Sequence, residues 1–285
     1  LRIPYPNDPY FYKTLMLGYD YEPIYAAGSM LGVDDTSGML RLMDEIEVLG
    51  LDVMSTGVAL AWATEMLERG LISDDETDGV QLRFGEVEPY IEALRRIVSQ
   101  PTGFYRALAR GTDHAAAVFG GEDFALTFGK NEMPGYHTGP GCHVGYLTGA
   151  RHSHLDSAGY SLDQRAAQVG EALTPRGVAE ALIEEERWRQ VLTSLVICLF
   201  ARKVYDRETV LETLATAGFD WDEGALDRLG AETLRLKYAF KNREGFALED
   251  LRIPRRILET PAPAGEFDES FMREAIARYA EIVAE

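Results

Sequence analysis

Apolar residues recur at three- and four-residue spacing through 39–49, 53–67, 88–98, 178–200, 208–217, 225–240 and 269–283, and this period points the 285-residue chain to a helical fold. Strand-like alternation is scarce. Helix punctuation agrees: Ser73 with Glu76 three residues later has the pattern of a capping box, and Asp52 is placed to cap the helix at 53–67. Gly50 and Gly70 sit where helices end. Residues 129–149, GKNEMPGYHTGPGCHVGYLTG, carry six glycines and two prolines and are expected to form an irregular loop, taken here as 129–160. Residues 254–265 are read as an extended surface segment ahead of the last helix. The expected fold class is all-α: multihelical, with two packed helical domains, 1–125 and 126–285, and the Gly/Pro-rich loop between them.

Composition narrows the partners. Hydrophobic residues make up 46% of the chain, enough for a sizeable core, which excludes a disordered polypeptide. Lys and Arg number 28 against 47 Asp and Glu, and the net charge of −19 repels phosphate backbones and anionic lipid. Neither nucleic acid nor membrane is an expected partner. No apolar run approaches the roughly 20 residues that span a bilayer, and no signal-peptide pattern opens the chain, so a soluble, cytoplasmic protein is expected. Cys142 and Cys198 are too few for a disulfide framework or for an iron–sulfur site by themselves. The chain opens at Leu1 with the proline-punctuated segment LRIPYPNDPYFY and is expected to be part of something longer.

Carboxylates stand among small and apolar residues in 18–62, where a packed core normally excludes them: Asp20, Glu22, Glu47 and Asp52. In EVLGLDVMSTG, Glu47 falls in the last turn of one helix, Gly50 takes the left-handed position that ends it, and Asp52 opens the next. Gly50 leaves the backbone approachable by a planar ligand, and a carboxylate accepts paired N–H bonds from an amino-pyrimidine edge. By spacing alone, a capped corner with a solvated Glu47 explains the same residues.

The segment resembles the aldehyde ferredoxin oxidoreductase family, tungsten or molybdenum enzymes whose pterin-binding pattern is D-x-x-G-L-D. Here it reads Glu47-Val48-Leu49-Gly50-Leu51-Asp52. The resemblance continues through YDYEPIYAAGSMLGVDD, ATEMLERGLIS, EMPGY, the RHSHLD run, SLVICLF and KNREGFALEDLRIPRR, in the family's order. It implies two helical domains that cradle a tungsto- or molybdo-bispterin, with Glu47, Gly50, Leu51 and Asp52 at the pterin. It also implies a [4Fe–4S] cluster held by C-x2-C-x3-C and a fourth cysteine in a second pattern, D-x-x-G-L-C. Residues 1–17 contain no cysteine, so the first motif is expected at or before Leu1, and the chain is expected to lack the N-terminal cofactor-binding domain. The fourth cysteine maps to Cys198, a metal ligand by resemblance, in Thr193-Ser194-Leu195-Val196-Ile197-Cys198. There Thr193 replaces the acid and by resemblance takes its place as a cofactor-binding residue, while Val196 replaces the glycine and Ile197 the leucine.

The family's metal-side Glu and His map to Glu22 and His154, with His152 as the fallback. Oxidation of an aldehyde with water releases two protons and two electrons. Glu22 is therefore the expected proton acceptor and His154 the hydrogen-bond partner of the substrate oxygen. Asp20, two residues from Glu22, is expected to point to a different side. Asp156 stands where the family has a basic residue for a cofactor phosphate, and Arg151 is the candidate to compensate. Expected partners are ferredoxin, an aldehyde-type substrate, the missing domain and a second copy in a homodimer. The chain alone is expected to fold but to be inactive and free of cofactor. Two other functions fit parts of the sequence: a zinc hydrolase built on the H-x-H-x-D spacing of HSHLD, drawing on His114, His137 or His143, and a non-catalytic helical scaffold.

Overall fold

The computed structural model describes residues 18 and 20–284. The opening segment LRIPYPNDPYFY lies outside them. Among the described residues the fold is all-α and multihelical, and the strands are two paired dipeptides, β1 (Thr127–Phe128) and β2 (Asn131–Glu132). The described residues form two compact units, one comprising those up to 135 together with 254–256, the other 136–253 and 257–284.

The first unit contains α1 (Tyr21–Ala27), α2 (Thr36–Val48), α3 (Val53–Glu68), α4 (Val87–Ser99), α5 (Gly103–Leu108) and α6 (Thr112–Phe119). Its centre is α3, which is buried nearly all round, with Val58, Leu60, Trp62, Ala63 and Met66 in the core. An apolar helix of this kind is stable only when other helices cover every face, and α1, α6 and β2 are among the elements that pack on it. Gly57 lets α1 approach: a Cβ there would collide with the Ala26 backbone. The unit's return segment is pinned by Arg256, whose two terminal nitrogens each lie 2.6 Å from a Glu65 carboxylate oxygen.

The second unit contains α7 (Pro140–Thr148), α8 (His154–Ser157), α9 (Gly159–Val169), α10 (Pro175–Ser194), α11 (Arg207–Thr216), α12 (Glu223–Arg243), α13 (Arg255–Glu259, whose first two residues belong to the first unit) and α14 (Glu269–Ala284). The long α10 is its spine, packing on both α12 and α14. Gly230 on α12 lies so close to the Arg187 backbone of α10 that no Cβ would fit.

Four local expectations are corrected. Residues 140–148, read as loop, form the fully buried α7. Its glycines, Gly141 and Gly145, are the surface on which Gly159 and Ser157 pack, so they serve close helix approach rather than chain flexibility. Ser73 and Glu76 do bond, Glu76 Oε2 accepting the Ser73 amide at 2.8 Å, but the segment is a series of turns with no helix behind it. The helix expected over 178–200 stops at Ser194, and residues 254–265 contain the short α13 with Ile257 buried. No single helix among the described residues is long and apolar enough to cross a membrane.

Candidate cofactor and catalytic site

The carboxylate corner is built by the end of α2. The Gly50 amide donates to the Glu47 carbonyl at 3.1 Å and the Leu51 amide to the Ile46 carbonyl at 3.0 Å, the two bonds of a Schellman ending, with Gly50 left-handed at φ +71°. Asp52 then caps α3, its Oδ1 accepting the Ser55 amide at 2.7 Å. The chain bends by 113° between α2 and α3, turning sharply over four residues. Glu47, Gly50 and Asp52 are exposed, and Leu51 is half-buried as the apolar partner of the corner. A Cβ built on Gly50 would meet nothing within 4 Å, so the backbone there is open to a planar group.

The segment after α10 closes in the same way. The Val196 amide donates to the Thr193 carbonyl and the Ile197 amide to the Leu192 carbonyl, both at 3.0 Å, and Val196 is left-handed at φ +59°. Thr193 is exposed, and its hydroxyl donates back to the Arg189 carbonyl within the helix. Cys198 lies beyond the helix as an exposed free thiol, not a buried one on a hydrophobic helix. The buried cysteine is Cys142, whose thiol is pushed up to about 12 by desolvation.

Glu22 is half-buried in the first turn of α1, flanked by the stacked rings of Tyr21 and Tyr25 at 6.2 Å. Asp20 does not point away from it. Burial first, and then the charge and hydrogen bond of Glu22, raise the Asp20 carboxyl above its ordinary value, so the two acids face each other. The Tyr21 hydroxyl donates to the Gly135 carbonyl at 3.1 Å, and a Cβ on Gly135 would strike the Tyr25 ring, which fixes this face of α1.

In the second unit, His154 opens α8 and is 8% exposed. Its ring lies 5.2 Å from Tyr136, which stacks on Tyr160 at 4.5 Å. His152 is held by two partners: Nδ1 lies 2.9 Å from the Tyr146 carbonyl and Nε2 2.9 Å from Lys241 Nζ. The ammonium donates to Nε2, so the ring proton is on Nδ1 and the imidazole is neutral. Burial and then the Lys241 charge push His152 down to about 4, and burial pushes Lys241 down to about 8. With both nitrogens committed, His152 has no free position for substrate, which leaves His154 as the candidate of the pair.

Asp156 is wholly buried and organises the turn rather than facing a ligand. It accepts the Arg151 and Ser153 amides at 2.8 and 3.1 Å and Arg151 Nε at 2.7 Å. The Arg151 side chain is thereby anchored at its Nε, with its side chain 46% exposed. These commitments remove the H-x-H-x-D zinc expectation. Among the described residues no group of three or more His, Cys, Asp or Glu could hold a metal ion. His137 and His143 bond to each other at 2.8 Å, and burial pushes His143 down to about 3.

Several structuring residues escaped the sequence. Asp163 accepts the Gly141 and Cys142 amides, both at 2.8 Å, and so caps α7 from α9, with burial raising its carboxyl to about 6. Glu186 is fully buried, accepting the Ala150 amide at 2.8 Å and the Tyr279 hydroxyl at 2.5 Å, and burial raises it too. For Asp163 the signal was a lone acid beside Tyr160 and Ala166 on α9, whereas Glu186 ends the run Glu184-Glu185-Glu186 and carried no signal of its own.

The two multihelical units carry exposed helix corners, and among the described residues there is no cluster of metal-ligating side chains. The profile of the family described as "Aldehyde ferredoxin oxidoreductase, domains 2 & 3" matches residues 4–283, and the chain belongs to that family. It is similar to the tungsten-containing aldehyde ferredoxin oxidoreductase of Pyrococcus furiosus, 28% identical over 258 residues, covering 87% of this chain and 42% of that protein. The Thermococcus kodakarensis protein of the same name is 28% identical over 264 residues, with the same coverage of 87% and 42%. The chain thus spans less than half the length of these relatives. The solved active-site complex of benzoyl coenzyme A reductase shares the fold, with a TM-score of 0.68 at 19% identity over 95% of this chain and 48% of that one.

Proposed function

We propose that the chain is the helical part of a tungsten- or molybdenum-pterin oxidoreductase that oxidises aldehydes to carboxylic acids and passes electrons through a [4Fe–4S] cluster to ferredoxin. The observation that carries this is the α2–α3 corner: Gly50 is left-handed and open on its outer side, with the Glu47 and Asp52 carboxylates on either flank. Those residues fit a pterin edge, which presents N–H donors to carboxylate acceptors. The exposed Cys198 thiol suits a cluster ligand, the remaining ligands coming from outside this chain.

When bound, the pterin-held metal supplies the two-electron chemistry and the cluster the electron exit. Glu22 takes up the proton released as water adds to the substrate carbon. His154, set in α8 by the Ser153–Asp156 capping box, donates a hydrogen bond to the substrate oxygen. Arg151, anchored through Nε on Asp156, directs its exposed end toward a cofactor phosphate. A homodimer and a cytoplasmic location go with this function.

The test is viologen-linked oxidation of an aldehyde panel by the protein expressed anaerobically from its complete reading frame. Glu22→Gln and His154→Asn are each expected to lower kcat by about 100-fold or more, the usual scale of a lost proton acceptor or oxyanion donor. Wild-type rates in both variants would refute the two assignments. Absence of tungsten, molybdenum and pterin from the purified protein would refute the function.

A further inference from the structure

The two helix corners share their hydrogen bonds and differ in everything a planar ligand would meet. At the α2–α3 corner the left-handed residue has no side chain, and the space beyond it is empty to 4 Å. At the corner after α10 the same place holds Val196, 91% exposed, so its isopropyl group projects outward from the backbone position that Gly50 leaves bare. A β-branched residue is poorly suited to this conformation, and its side chain gains almost no burial here. Thr193 stands where Glu47 stands; its hydroxyl donates to the Arg189 carbonyl, and its oxygen is a neutral acceptor where Glu47 offers a carboxylate. Cys198 stands where Asp52 stands.

A pterin's amino-pyrimidine edge presents a row of N–H donors. It needs carboxylate acceptors and a backbone it can lie against. The second corner has a neutral hydroxyl in place of the carboxylates, and Val196 covers the approach. Its exposed apolar side chains are Val196 and, beyond Cys198, Phe200 at 86% exposure.

We propose that only the α2–α3 corner of this chain seats a pterin edge, and that the corner after α10, without a carboxylate and with Val196 over its backbone, serves a cofactor through the Cys198 thiol alone. This rests on the function proposed above and deepens it: the residues of the second corner do not fit the second pterin that membership of the family implies. The protein should therefore hold its metal with a single pterin.

The experiment is a stoichiometry. The protein from its complete reading frame is purified anaerobically, its tungsten and molybdenum are measured by mass spectrometry, and released pterin is quantified as its fluorescent oxidised derivative. One pterin per metal atom is expected. Two per metal would overturn this inference and leave the proposed function standing, whereas neither metal nor pterin would overturn the proposed function and this inference with it. In a second arm, Gly50→Val is expected to reduce pterin content at least tenfold, and Val196→Gly to leave it unchanged. Val196 shows that this type of corner admits a β-branched residue, and circular dichroism of Gly50→Val is the check that its helices are kept. Equal loss of pterin in the two variants, or full retention in Gly50→Val, would overturn the assignment of one corner.

Discussion

Val196→Gly should stabilise the second unit. At φ +59° an L-residue brings its Cβ against the following carbonyl, at a cost of roughly 1–2 kcal/mol, with β-branched residues at the upper end. The side chain is 91% exposed, so removing it sacrifices little apolar burial, and neither hydrogen bond of the corner involves it. Against the relief stands the extra freedom of glycine in the unfolded chain, roughly 0.5–1 kcal/mol. The balance is a gain of about 1 kcal/mol, which for a unit of this size raises Tm by roughly 2–4 °C. Urea unfolding followed by tryptophan fluorescence reports it directly, because Trp188 on α10 and Trp221 before α12 both lie in this unit. Val196→Ala keeps a Cβ and should recover only part of the gain. A lower midpoint for Val196→Gly, at unchanged m-value, would refute the claim that the corner is strained.

Gly57→Ala should loosen α1 from α3, since its Cβ would overlap the Ala26 backbone; an overpacking cost of about 1–3 kcal/mol is expected by calorimetry. Protection of the α1 amides from hydrogen exchange should fall with it, and unchanged protection would refute the close approach. Acid stability should reflect groups pulling in opposite directions. His143 and His152, lowered to about 3 and about 4, stabilise the fold above their unfolded value of about 6.5, and this is lost as pH falls through that range toward 4. Asp163, raised to about 6, does the reverse: its contribution is full below about 4 and is lost as pH rises through 6, and Glu186 has the same sign. Between about pH 6 and 4.5 these terms nearly cancel, so wild-type stability should be almost flat, whereas Asp163→Asn should lose roughly 1.4 kcal/mol per pH unit relative to it. Parallel curves for the two proteins in urea titrations would contradict the burial of a protonated Asp163.

The α-helical class and the first corner were legible because their determinants are local. The apolar period that marks α2, α3, α4 and α12 acts between residues three and four apart, and Gly50 followed by Asp52 states both the end of one helix and the start of the next. What the chain alone misrepresented depended on partners distant in sequence. The glycines of α7 look like loop until Gly159 and Ser157 are seen against them, and its N-terminus is capped by Asp163 from another helix. HSHLD reads as two equivalent histidines until Lys241, 89 residues on, occupies one of them.

The second corner divides the two kinds of information most clearly. Composition and spacing determine a helical chain, poor in cysteine and strongly acidic, with one carboxylate corner spelled out in six consecutive residues. Only the folded structure shows that Thr193 to Cys198 makes a corner of the same geometry, because Val196 has no intrinsic preference for a left-handed turn and its neighbours carry no stop signal. Leu192 and Val191 are buried in the core of the second unit beside Leu226 and Val210, and α10 can extend no further without moving Leu195 and Ile197 off that core. Local propensity wrote the first corner; tertiary packing imposes the second.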